Sequence, residues 1–211
     1  MKGMIITLHF MQKWSPEITA ACPTKSIDEE NYPVDGGVKI SKKDFADTLY
    51  LWLSEHLTKQ EVKAMAKQVG FKITGLFGII INKKLYSQFY SELFSLNMYL
   101  IVFSCEGVIR DASTKDEVLE IFHKLVYARN IKVTGTSYKR WIVLMKLIYE
   151  DYRKAMEEKS LLTPILLVSG AFEKNLFGKP IMDPYVRFET GMRIGGIVRQ
   201  LSQLLQDYTI E

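Results

Sequence analysis

From Ser41 onward, apolar residues recur at three- and four-residue intervals, the spacing that lines one face of an α-helix. Ser41 followed three residues later by Asp44 has the form of a helix-capping pair. Phe45, Leu49, Trp52, Leu53 and His56 then fall on one face, predicting a first helix of about four turns. Thr58 and Glu61 repeat the capping pattern ahead of a short stripe of Val62, Met65, Ala66 and Val69, with Gly70 placed to stop the helix. Leu85 to Ile109 predicts a long helix that begins amphipathic, with Gln88, Glu92 and Ser95 on one side, and becomes apolar nearly all round from Leu96 to Phe103. A helix apolar on every side belongs in the centre of a bundle.

Ser113 and Thr114 are read as caps of a helix with Asp116 and Glu117 in its first turn, running to about Arg129. Ser137 opens another, in which Tyr138, Trp141, Ile142, Met145, Ile148, Tyr149, Tyr152 and Met156 keep helical spacing. Thr163-Pro164 and Ser169-Gly170 read as breaks and Asn175 to Pro184 as a loop, before a final helix from about Tyr185 to Asp207. Ahead of Ser41 the pattern differs: Met4 to Phe10 suits a short strand, and Pro16, Pro23, Pro33 and Gly36-Gly37 mark irregular chain. The fold expected is all-α, an orthogonal or up-down bundle of about six or seven helices. Residues 41–211 form one helical domain in this reading and residues 1–40 an extended, strand-like arm.

Composition narrows the class. The chain has 211 residues, 47% apolar and 25% charged, which supports a packed core and excludes a disordered profile. Its net charge of +4 is spread thinly, without a run of five like charges, so nucleic acid is disfavoured as a partner. Two cysteines, Cys22 and Cys105, and three separated histidines favour neither a disulfide framework nor a zinc site. The apolar start followed by Thr19-Ala20-Ala21-Cys22 resembles an export signal, but Lys13, Pro16 and Glu17 interrupt it, and a cytoplasmic protein is expected. Leu93 to Ile109 contains Asn97 and Glu106 and falls short of the ~20 apolar residues of a membrane span.

Several groups are candidate chemistry. Glu120-x-x-His123 has half the spacing of a carboxylate-bridged di-iron motif. At ~100° per residue, however, Glu120 points away from the apolar face and His123 lies on its flank, so no metal is expected. Glu106, beside Cys105 and on the helix that carries Asn97, is either a desolvated carboxylate or a helix-end residue that reaches solvent or pairs with Arg110. Gly191, Gly195 and Gly196, interleaved with Arg187, Arg193 and Arg199, suggest close approach of a second helix or a subunit. The alternative there is a loop offering amides to an anion beside the arginines.

Residues 41–86 carry a further pattern. Ala66-Lys67-Gln68-Val69-Gly70, Leu76-Phe77 and Asn82-Lys83 resemble the DNA-binding end of tetracycline-repressor-type regulators. The resemblance implies a helix-turn-helix there and an all-helical ligand and dimer domain over about residues 90–205. It departs where base reading would occur. Lys72 to Ile81 holds Gly75 and Gly78 among Ile, Leu and Phe, leaving only Lys72, Thr74, Lys83 and Lys84 to meet DNA. The function expected is non-catalytic: association with itself or with a protein partner, enclosing a small apolar ligand, with no cofactor. A ligand-responsive DNA-binding regulator is the first alternative, and a metal- or carboxylate-dependent enzyme using Glu106 or His123 the second. The candidate ligand or interface residues are Glu106, Arg187, Gly191, Arg193, Gly195 and Gly196.

Overall fold

The computed structural model describes residues 38–73, 81–158, 162–179 and 183–211. Seven α-helices occur among them: α1 (Lys42–Glu55), α2 (Lys59–Gln68), α3 (Lys83–Val108), α4 (Ala112–Val126), α5 (Tyr138–Glu157), α6 (Pro164–Phe177) and α7 (Pro184–Gln206). One wider turn (Tyr127–Ile131) and one tight turn (Lys132–Thr134) link α4 to α5. Two short strands, β1 (Val38–Ile40) and β2 (Tyr208–Ile210), pair in parallel, with Val38 opposite Tyr208 and Ile40 opposite Ile210. The all-α expectation is met, and a short strand lies near the start of the described residues. The proposed strand Met4 to Phe10 and most of the arm lie outside the described residues, as does most of the would-be recognition helix.

Local chemistry sets the boundaries. Ser41 Oγ accepts from the Asp44 amide, Thr58 Oγ1 from Glu61 and Ser137 Oγ from Arg140, so three caps fall where the spacing puts them. Gly70 takes a left-handed φ of 69°, which ends α2 without a Cβ clash. Two boundaries differ from the sequence reading. The cap of α4 is Asp111, which accepts from the Thr114 amide at 2.7 Å, so the helix starts at Ala112 and Ser113 and Thr114 lie inside it. And residues 164–177 are helical where breaks were expected. Pro164 occupies the first turn, where its missing N–H costs nothing. Ser169 and Gly170 are tolerated because α7 lies against them: Ser169 Oγ donates to the Arg187 carbonyl, and the Arg187 guanidinium lies 3.8 Å from where a Gly170 Cβ would be.

Helix α3 contacts each of the other six helices, and Leu96 to Val102 are buried, Phe103 only partly. This is the helix whose apolar surface runs all round, and its position follows from that: only a central site covers every side. Around it α1 lies along α4, and α6 lies between α5 and α7. Tyr99 of α3 stacks on Tyr152 of α5 at 5.3 Å between ring centroids. No described helix is long and apolar enough to cross a membrane.

Candidate functional site

Three helices diverge where α3 ends, leaving an open cleft of about 570 Å³. One face of each contributes. Asp116, Leu119, Glu120 and His123 come from α4 at intervals of three and four; Tyr138, Ile142, Lys146, Tyr149, Glu150 and Arg153 come from α5 in the same rhythm; Val102 and Glu106 end α3. The walls are Val102, Leu119, Ile142 and the ring of Tyr138, and the charges stand around them.

His123 and Tyr149 close the inner side, each only 7% exposed. His123 Nδ1 lies 2.6 Å from the Leu119 carbonyl, which can only accept, so Nδ1 carries the proton. Nε2 is then the acceptor, and the Tyr149 hydroxyl donates to it at 2.9 Å. Both ring nitrogens are thereby engaged and the imidazole is held neutral. Burial lowers the His123 pKa below its ordinary value, with the nearby Lys146 ammonium acting in the same direction and the bond to Leu119 opposing. Burial pushes the Tyr149 phenol well above its ordinary range, so it keeps its proton. The lone pairs of the Tyr149 oxygen remain as acceptor capacity at this end of the cleft.

Four carboxylates (Glu106, Asp116, Glu120 and Glu150) face two cations (Lys146 and Arg153) around the cleft, an acidic excess within a chain of positive net charge. Glu106 pairs with Arg153 at 2.9 Å, not with Arg110, and Glu120 pairs with Lys124 along α4. Among the described residues no group of three His, Cys, Asp or Glu could hold a metal. Glu120 points outward as its helical angle requires. His123, placed by the pattern at the edge of the apolar face, is instead buried, because Tyr149 satisfies its outer nitrogen.

Of the six residues singled out by sequence, Glu106 lines the cleft and the other five lie on α7. Arg187 pairs at 3.5 Å with Glu173 of α6, a fully buried carboxylate. Arg193 pairs with Glu61 of α2 and reaches Gln68. The segment is helical, so its amides serve the helix and the anion-loop alternative does not apply. Gly191 and Gly195 do admit a second helix, but from the same chain: Leu166 and Ile165 of α6 fill the space a Cβ would take, at 2.6 and 3.3 Å. Gly196 has nothing within 4 Å. Cys105 is buried, its thiol pushed up to about 12 by burial, and is chemically quiet.

Two further polar groups escape a reading by helical face alone. Glu92, on the polar side of α3, accepts from the Tyr152 hydroxyl of α5 at 2.6 Å and from the Asn175 amide of α6 at 2.8 Å. The residue keeps some exposure, yet its carboxyl is enclosed by protein and its pKa is raised, chiefly by desolvation. Asn97, in the middle of α3, is buried with neither amide atom hydrogen-bonded.

No family model, curated protein or solved structure matches this chain.

Proposed function

We propose that this protein is a cytoplasmic, self-associating binding protein that holds a small amphiphile, an apolar body carrying a cationic or hydrogen-bond-donating group, in the cleft between α3, α4 and α5. The observation that carries this reading is the cleft itself: about 570 Å³, within the range of small-molecule sites, with aliphatic and aromatic walls and a buried His123–Tyr149 pair at its inner side. The ligand class follows from what the site offers. Its apolar walls take a hydrocarbon or aromatic body. Tyr149 has already spent its proton on His123, so it welcomes a donor. Outside the Glu106–Arg153 and Glu120–Lys124 pairs, Asp116 and Glu150 face Lys146 alone, a balance that favours a cation over an anion. A non-catalytic role is proposed because both His123 nitrogens are committed to structural hydrogen bonds and the Tyr149 proton is held by burial.

The test uses three probes of one skeleton: a phenylalkyl amine, the corresponding alcohol and the corresponding carboxylate. Binding is followed by amide chemical shifts and by the fluorescence of Trp141, whose ring centroid is 6.0 Å from that of His123. The amine is expected to bind saturably and at least ~10-fold more tightly than the carboxylate, a difference of about 1.4 kcal/mol. Ile142→Trp, which fills the cleft from its α5 wall, is expected to abolish the response. No saturable binding by any probe, or binding indifferent to Ile142→Trp, refutes the assignment.

A further inference from the structure

Among the described residues, the outer face of α7 is left largely uncovered. Its inner face buries Thr190, Gly191, Ile194, Ile197, Leu201 and Leu205. On the opposite side Tyr185, Phe188 and Met192 stand 70%, 53% and 62% exposed, three large apolar side chains in one stripe. Continuing the stripe past Met192 leads to Gly196 and Arg199, both exposed. Glycine is a poorer helix former than alanine in a helix interior, so Gly196 weakens α7 there. Unlike Gly191 and Gly195, it gains no contact in return, since no atom lies within 4 Å of its missing Cβ.

The spacing of this face is symmetrical. Tyr185 and Phe188 precede Met192 by seven and four residues, and Gly196 and Arg199 follow it by four and seven. At ~100° per residue all five lie within about 40° of the Met192 direction. If a second α7 is laid antiparallel across this face on a two-fold axis through Met192, each residue meets its mirror position. Phe188 then lies over the partner's Gly196, a large ring against a bare backbone. Tyr185 lies beside the partner's Arg199, a guanidinium against a phenol ring. Each half of the stripe complements the other half of the same stripe, the property that defines an isologous patch.

We propose that the protein forms a homodimer through an antiparallel α7–α7 contact centred on Met192, with the Phe188 ring seated over the partner's Gly196. This deepens the self-association part of the function proposed above and rests on it. The stripe spans about 21 Å of helix at 1.5 Å per residue. The contact therefore belongs to the small, reversible class of interfaces, and its population depends on protein concentration.

The experiment is sedimentation velocity over a concentration series with the full chain, wild type against Phe188→Glu and Gly196→Glu. Both sites face solvent in the single chain, so the fold is retained, as circular dichroism checks. The wild type is expected to show a monomer–dimer equilibrium, and each variant to raise its dissociation constant at least ~10-fold, as for a residue at the centre of an interface. In a Cys22→Ser background, oxidised Met192→Cys is expected to form a covalent dimer, since the two sulfurs meet at the axis. Gln203→Cys, on the same face but eleven residues from the axis, is not. A wild type that stays monomeric throughout overturns self-association and this contact together. A wild-type dimer unaffected by Phe188→Glu, or in which Met192→Cys cross-links no faster than Gln203→Cys, overturns the α7 contact alone and leaves association through another surface.

Discussion

Replacing His123 by phenylalanine should make the stability of this protein respond to pH in a way that isolates the buried imidazole. In the wild type the ring donates to Leu119 and accepts from Tyr149, and it is buried. Phenylalanine keeps the bulk and removes both bonds, leaving the Tyr149 hydroxyl without its acceptor, a loss of roughly 1–3 kcal/mol near neutral pH. Only the wild type carries this imidazole, so groups common to both proteins cancel in the difference between them. Its folded-state pKa lies below the unfolded value of 6.5, so the unfolded chain takes up the proton first. The stabilisation is fully present above about pH 6.5 and is lost as pH falls below it towards the folded pKa. The slope is at most about 1.4 kcal/mol per pH unit. Protonation would also give Nε2 a hydrogen facing the Tyr149 hydroxyl proton. Urea unfolding of both proteins between about pH 5 and pH 8, followed by circular dichroism, should show the wild type more stable at pH 8, with the gap narrowing steadily below about pH 6.5. A gap that stays constant, or widens on acidification, refutes the assignment of a neutral, depressed His123.

Glu92 should behave with the opposite sign. Its pKa is raised, so the stabilisation is present below the ordinary carboxyl value and is lost as pH rises through the folded pKa. Glu92→Gln keeps an oxygen for Tyr152 and Asn175, and should flatten that decline in a urea-unfolding series above about pH 4.5; an unchanged profile counts against a desolvated carboxyl. Asn97→Leu removes two unbonded polar atoms from the centre of α3 and should raise unfolding free energy by roughly 1–3 kcal/mol, read from the urea midpoint at constant slope. Gly196→Ala, measured in dilute solution where the chain is monomeric, should gain about 1 kcal/mol of helix propensity. Gly191→Ala should not, because its Cβ would meet Leu166 Cδ2 at 2.6 Å, and overpacking of ~1–3 kcal/mol cancels the gain. Equal thermal shifts for the two alanines would show that α6 does not press on α7 at Gly191.

The helices themselves were legible because their signals are local. A side-chain oxygen at Ser41, Thr58 or Ser137 meets an amide three residues away, and a stripe of apolar positions at helical spacing needs no distant partner to be recognised. The central place of α3 followed from its own composition, since Leu96 to Val102 leave no polar side to face water. Asp111 against Ser113 and Thr114 shows the limit of such signals: three adjacent capping side chains offer nearly equivalent starts.

What sequence could not settle depends on pairs of residues far apart in the chain. Ser169 and Gly170 read as a break until the Arg187 backbone and guanidinium are laid beside them. Tyr149 sits 26 residues from His123, and only its approach from α5 turns a flank histidine into a buried neutral one. Glu92 finds Tyr152 and Asn175 across separations of 60 and 83 residues. Periodicity fixes which face of a helix is apolar. Which polar side chains are drawn inward, and with what protonation state, is decided by donors and acceptors that meet only when helices from distant parts of the chain are brought into contact.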